Sequence, residues 1–252
     1  LGDLLRQNAE LPDAVRHYQT AIQTLRELAR LQPARREWML EIALLEIRSA
    51  EVWRQRDSES DVERSVAECV ICLDVAEHAA RDPAESSAVA QSRNRVAEAL
   101  TRLGRSDEAR RQLRSACRSL GIMASRPESS TRQLREALTA TGRLANDLLE
   151  GSDLADAHAI LEPATAWAER LRGAADVTFA DEQAGVLLLR NLAVVELRLE
   201  RRTDAERRLK DVDRILSRLE ADDRSAGQPD WRDWITSQRR ELADLQAAIH
   251  RK

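Results

Sequence analysis

The sequence has few aromatic residues and no long apolar run. Only 3% of its 252 residues are aromatic, which excludes an all-β sandwich, because that fold needs many aromatic and β-branched residues. The longest uninterrupted apolar run extends only from Ala184 to Leu189, and Arg190 ends it. Since a membrane-spanning helix needs about 20 such residues, we expect no membrane span.

Cysteine and histidine are also scarce. Three cysteines cannot form a disulfide framework, so the sequence predicts a cytoplasmic protein. Cys69 and Cys72 offer only half of a tetrahedral metal site, and we expect these thiols and Cys117 to be core residues. The four histidines are scattered, and no phosphate-loop, hydrolase or kinase motif is present. The sequence therefore predicts no catalytic activity, no cofactor and no metal site.

Charge and helix-forming residues dominate the composition. Charged residues make up 33% of the chain, yet the formal net charge is only −4. Apolar residues recur throughout, which argues against disorder. The abundance of Ala, Leu, Arg and Glu favours helix along nearly the whole chain. Net negative charge and few stacking aromatics argue against a nucleic-acid partner.

One packing pattern recurs five times. A small residue is followed four positions later by a larger one and three positions further by a small or apolar one, which places all three on one helical face. The instances are Ala14-Tyr18-Ala21, Ser65-Cys69-Cys72, Ala109-Leu113-Ala116, Ala157-Leu161-Ala164 and Ala205-Leu209-Val212. Because a second apolar helical pattern lies upstream and a turn separates the two, the repeating unit is predicted to be a helical hairpin.

Turn and breaker residues refine this unit. We expect Gly104 and Gly151 to end first helices in a left-handed conformation, and the Ser or Asp residues after each turn to cap the second helices. Pro163 lies well inside the second helix of the fourth unit and is expected to kink or break it. The large aromatic residues Trp38, Trp53, Trp167 and Phe179 are expected to pack between helices.

The first unit resembles the tetratricopeptide repeat (TPR) family. Leu1-Gly2 look like the Leu-Gly pair of that family, and Ala14, Tyr18 and Ala21 follow at the family spacing. The units of this chain are longer, about 44–51 residues against about 34 in the family. In the family register the chain starts inside a helix, so we expect a fragment of a longer protein, similar to the repeat arrays of large bacterial signalling proteins.

The sequence thus predicts an all-α fold: a right-handed superhelical solenoid of about five antiparallel helix pairs plus a C-terminal capping helix. The repeat array is expected over residues 1–225, with units at about 1–33, 34–83, 84–127, 128–173 and 174–225. Gly227 and Pro229 interrupt the pattern, and Asp230 is expected to cap a helix within 226–252. The alternative is that this last segment starts a sixth hairpin.

Charges are unevenly distributed along the second helices. Residues 57–85 contain nine acidic residues against two arginines, whereas residues 109–127 contain five arginines and no acidic residue. Two interpretations remain open. The charges pair between neighbouring repeats, or the arginines form a ridge that docks an anionic partner.

Polar residues in the first helices form the candidate site. Asn favours caps and turns over helix interiors, yet three Asn residues lie inside first helices, each close to an Arg. The six candidates are Asn94, Arg95, Arg143, Asn146, Arg190 and Asn191. The TPR resemblance implies that first helices line a concave groove, where some members hold a peptide carboxylate with Lys, Arg and Asn. The alternative is that these residues are solvated or join neighbouring helices.

These observations predict a non-catalytic scaffold or sensor region that binds a protein or peptide segment, with no nucleic-acid or membrane partner. Arg can hold a carboxylate with two parallel hydrogen bonds, and Asn can bridge peptide donors and acceptors. The alternative is a regulatory or self-assembly region of a multidomain enzyme such as a Ser/Thr kinase. A self-assembly region predicts that the chain forms a homo-oligomer.

Overall fold

The computed structural model describes residues 1–32, 35, 37–221 and 229–250, and within these ranges it contains eleven α-helices and no strand. The side chains of residues 229 and 250 are not among those described. The helices are α1 (Gly2–Gln7), α2 (Leu11–Leu31), α3 (Glu37–Gln55), α4 (Glu59–Ala79), α5 (Pro83–Arg102), α6 (Ser106–Ala124), α7 (Thr131–Glu150), α8 (Leu154–Arg172), α9 (Phe179–Arg198), α10 (Arg202–Ala221) and α11 (Pro229–His250).

Helices that follow each other in the chain pack together as hairpins. Contacts join α1 to α2, α3 to α4, α7 to α8 and α9 to α10, and Arg93 of α5 donates a hydrogen bond to Gln112 of α6. First helices of neighbouring hairpins also touch, as α3 does with α5 and α7 with α9. The all-α prediction of sequential helix pairs is confirmed. The chain divides into two compact units, Leu1–Met123 and Ala124–Lys252.

All five hairpin turns have the same hydrogen-bonded geometry. Each contains one residue with positive φ, between 54° and 76°, and these residues are 47 or 48 positions apart: Ala9, Asp57, Gly104, Ser152 and Glu200. In every turn, the residue after the left-handed one donates its backbone N–H to the carbonyl oxygen of the residue five positions before it, with N···O distances of 2.7 to 3.1 Å. This is a Schellman motif, which satisfies carbonyls that the end of a helix leaves unpaired.

The turn chemistry differs from the expectation at two points. Gly104 is left-handed as predicted, but Gly151 has a right-handed φ of −74° and Ser152 takes the left-handed position. The second helices α4 and α8 begin without a side-chain capping hydrogen bond. Side-chain caps instead begin first helices, where Asp82 caps α5 and Ser130 caps α7.

The recurring packing pattern lies in the core. Of its fifteen residues, all are buried except Ala21, which is half-buried. Cys69, Cys72 and Cys117 are buried free thiols, as expected for core residues. At the start of the chain, a Cβ on Gly2 would lie 2.6 Å from Tyr18 Cε1. Only glycine therefore allows this close approach between α1 and α2.

The expected break at Pro163 and the expected cap at Asp230 are wrong. Pro163 does not break its helix, because α8 is continuous over Leu154–Arg172. Ala157, Leu161 and Ala164 are fully buried on both sides of the proline, and their tertiary packing holds the helix despite one missing backbone hydrogen bond. Asp230 does not cap α11, since that helix already begins at Pro229. Gly227 and the expected boundaries at 33/34 and 225/226 lie outside the described residues.

The final helix covers the last hairpin. α11 contacts both α9 and α10, and Ile235, Leu242 and Ile249 are buried. Phe179 stacks on Trp231, with ring centroids 3.7 Å apart, and meets Trp234 edge-on at 5.4 Å. The other aromatics that were expected between helices divide into Trp167, which is buried, and Trp38 and Trp53, which are half-buried. Among the described helices, none has the length and apolarity that crossing a membrane requires.

Candidate functional site

The shared turns give each first helix a common register, and four of the six candidates occupy two positions in it, whereas Asn94 and Arg190 lie ten residues before the left-handed residue of their turns. Arg95, Arg143 and Asn191 each lie nine residues before the left-handed residue of their turn, and Asn146 lies six residues before. These two positions are three residues apart, so they share one face of the helix. Within each compact unit the face continues from one first helix to the next, because α3 packs against α5 and α7 packs against α9.

The structure brings two of the candidates together. Asn191 on α9 donates through Nδ2 to Oδ1 of Asn146 on α7, at 2.9 Å. Asn146 is exposed and Asn191 is half-buried, so the pair lies at the surface between the two helices. Because an amide has two donor hydrogens and two acceptor lone pairs, Asn146 Nδ2 and Asn191 Oδ1 remain available to a bound chain. Arg143 is exposed on α7, one helical turn from Asn146.

Arg190 is engaged elsewhere. Its Nη1 donates to Gln238 at 3.0 Å and forms an ion pair with Glu241, both on α11. The Arg190 guanidinium therefore binds side chains of α11 and joins this helix to α9. Asn94 and Arg95 lie on α5, in the compact unit Leu1–Met123. Asn94 is half-buried and Arg95 is exposed.

In the first unit, the same two register positions hold an ion pair that the sequence analysis missed. Arg48 on α3 donates to Asp3 on α1 at 3.0 Å, which is the geometric counterpart of Asn191 and Asn146. Glu51 accepts hydrogen bonds from Arg6 at 2.9 Å and from Arg102 at 2.6 Å. The repeat of 47 or 48 residues between the left-handed turn residues is the signal that could have identified these partners, because it aligns the register positions of neighbouring hairpins. The amide pair is thus an uncharged version of a charged inter-repeat contact.

A second contact holds α7 and α9 in place at their N-terminal ends. Arg135 donates two hydrogen bonds to Asp181, both at 2.9 Å, and one to the Asp176 carbonyl at 2.8 Å. Asp181 also completes the capping box of α9 with Thr178. Burial raises the pKa of Asp181, but the hydrogen bonds from Arg135 and Thr178 outweigh it, and the pKa is lowered. This contact joins the N-terminal ends of the two helices that carry Asn146 and Asn191.

The comparisons with known proteins concern the fold. No family model matches the chain, and no curated protein matches it. A kinesin light chain of Podosopora anserina with nearly identical TPR-like repeats is 16% identical, with a TM-score of 0.49 and coverage of 88% of this chain and 94% of that chain. BtubC (BKLC) from P. vanneervenii is 13% identical, with a TM-score of 0.43 and coverage of 83% and 92%. A de novo designed helical repeat protein is 16% identical, with a TM-score of 0.29 and coverage of 95% and 97%. The description of the chain as a repeat of helical hairpins rests on its own helix pairs and turns.

Proposed function

We propose that the compact unit Ala124–Lys252 binds an extended protein or peptide segment. The segment lies on the face of α7 and α9, at the Asn146–Asn191 pair. The observation that carries this proposal is the inter-helix hydrogen bond of 2.9 Å between the two amides. It orients both side chains and leaves one donor and one acceptor exposed. The amide and carbonyl groups of an extended peptide backbone complement such a pair.

The surroundings support this role. Arg143 adds a guanidinium one turn away, which can hold a carboxylate of the bound segment with two parallel bonds. Stacked helical hairpins offer extended surfaces on which such a segment can lie. Recognition of this kind requires no reacting group, so we infer a scaffold or sensor function without catalysis.

The test selects peptides from a displayed random library on the purified chain and measures the affinity of the selected peptides by fluorescence anisotropy. We expect the double variant Asn146→Ala, Asn191→Ala to lower the affinity by at least about tenfold, because two bonds of about 1 kcal/mol or more are lost. Arg143→Glu is expected to weaken capture of peptides that carry a carboxylate. Arg214→Glu is the matched control, since Arg214 is exposed on α10 beside Asp211. Equal peptide affinities for the wild type and all these variants would contradict binding at the proposed surface.

Light scattering over a dilution series separates this function from self-assembly. A self-assembly region would gain mass with increasing concentration and would capture no linear peptide. A peptide-binding region is expected to keep a constant mass and to give selected sequences that compete with one another for one surface.

A further inference from the structure

Three possible metal ligands meet between α8, α9 and α10, outside the amide surface. The ligand atoms of His158, Glu162 and Glu196 all lie within 4.8 Å of one another. His158 and Glu162 are four residues apart on α8, so both project from one helical face. Glu196 on α9 approaches from the core side, with its Oε1 3.7 Å from His158 Nε2.

Glu196 is anomalous in two independent ways. It is fully buried, yet neither of its carboxylate oxygens accepts a hydrogen bond from the described residues. Buried polar groups are almost always hydrogen-bonded, and an exception calls for an explanation such as a bound ion. In addition, Glu196 lies four residues before the left-handed residue of its turn, where the other hairpins have only apolar residues: Leu5, Trp53, Leu100 and Leu148.

We propose that His158, Glu162 and Glu196 bind a divalent transition-metal ion, with zinc as the best match. Imidazole and carboxylate are ligands that zinc accepts, and three protein ligands leave a fourth position for water or a partner's side chain. Two ligand atoms at about 2.1 Å from a tetrahedral zinc lie about 3.4 Å apart. The distance from His158 Nε2 to Glu196 Oε1, 3.7 Å, is close to this value, and the Glu162 ligand atom lies within 4.8 Å of both.

The two neighbouring arginines are compatible with this site. Arg201 Nη1 lies 2.6 Å from His158 Nε2, and because a guanidinium only donates, this nitrogen carries the lone pair that a metal needs. Arg201 also pairs with Asp204 at 2.8 Å, so it keeps a partner when a metal displaces it. Arg208 donates to Glu162, and its Nε forms an ion pair with Glu196 Oε1 at 3.5 Å. It can hold the outer oxygens of both carboxylates, as residues around a metal site commonly do.

The experiment measures zinc binding to the tag-free full chain after EDTA treatment and desalting. Calorimetry is expected to show one zinc ion per chain, with no competition from excess Mg²⁺ or Ca²⁺. His158→Ala and Glu196→Leu are each expected to lower the affinity by at least about tenfold. Co²⁺ in place of zinc should give the visible absorption of a four-coordinate site in the wild type, and this absorption should be absent in His158→Ala and Glu196→Leu.

His78→Ala is the matched control, because His78 is an exposed histidine with Asp74 four residues before it on α4 and lacks a buried carboxylate. We expect this variant to bind zinc as the wild type does. Circular dichroism checks that the variants fold. If Glu196→Leu does not fold, the zinc affinity of His158→Ala alone tests the proposal. Absence of zinc binding by the wild type, or equal binding by the wild type and His158→Ala, would overturn the proposal.

Discussion

Replacing Glu196 by leucine is expected to stabilise the metal-free protein. Leucine is the residue that three other hairpins have at this position, and two of these side chains, Leu100 and Leu148, are fully buried. Burial raises the pKa of the Glu196 carboxyl, which shows that folding disfavours its ionised form. The substitution removes this cost and adds apolar contacts of a size that the hairpin accommodates elsewhere.

The expected gain follows from three contributions. A buried carboxylate without hydrogen bonds costs about 1–3 kcal/mol, and a buried leucine side chain contributes about 1.5–3 kcal/mol. Against this, the ion pair of Glu196 with Arg208, at 3.5 Å, is lost. Arg208 keeps Glu162, so the loss is partial. Exchange of a whole buried ion pair for apolar residues is commonly neutral or stabilising by about 1–4 kcal/mol. Only one partner is exchanged here, but Arg208 keeps Glu162 as a counter-charge, so we expect a gain of about 1–3 kcal/mol.

Urea unfolding in the presence of a chelator measures the change, and hydrogen exchange localises it. Protection should increase in peptides from α8, α9 and α10 and stay constant in α3 and α4. The reciprocal variant Leu148→Glu places a carboxylate in the fourth hairpin and is expected to cost about 3 kcal/mol or more. A loss of more than about 1 kcal/mol in Glu196→Leu would refute the reasoning, since the carboxylate would then be a structural ion-pair partner.

Three further predictions concern the caps, turns and thiols. Ser130→Ala removes a side-chain cap and should lower the free energy of unfolding by about 1 kcal/mol, whereas Ser58→Ala, where no cap exists, should change it by less than about 0.5 kcal/mol. In urea titrations, Gly104→Ala should destabilise by about 1 kcal/mol and Glu200→Gly should stabilise by a similar amount, because both positions are left-handed. Burial raises the pKa of Cys72 to about 11, so about a thousandth is thiolate at pH 8; mass spectrometry should detect alkylation only in urea, and rapid labelling of the native protein would contradict this.

Packing was the part of the fold that the sequence revealed most directly. The offsets of four and three residues identify the buried face of each second helix, because burial must follow the helical period. The turns were less predictable. Left-handed geometry is imposed by the Schellman hydrogen bonds, and Ala9 and Ser152 accept it at a cost of about 1–2 kcal/mol. Glycine is therefore an unreliable marker of these turns, as Gly151 illustrates.

The candidate site was predictable only as far as the register reached. The family spacing placed Asn146 and Asn191 on one face, and the structure joins them. The partner of Arg190 could not be deduced, because it depends on how α11 packs after a segment that has no repeat pattern. Glu196 had a detectable signal, but finding it required turns aligned at 47 or 48 residues, which the left-handed residues define.

Aligned repeats also distinguish a structural departure from a functional one. Arg93 is a buried charge in the third hairpin, and the corresponding residue of the fifth is Leu189. The guanidinium of Arg93 bonds Asp74 and Glu77, each at 2.7 Å, so neighbouring helices compensate it. The carboxylate of Glu196 receives no such hydrogen bonds. The nearest guanidinium nitrogen, Arg208 Nε, lies 3.5 Å from Glu196 Oε1. Because each hairpin of a repeat array is stabilised by its own contacts and its neighbours, a buried carboxylate without hydrogen bonds points to a local use, and the use that we propose is metal binding.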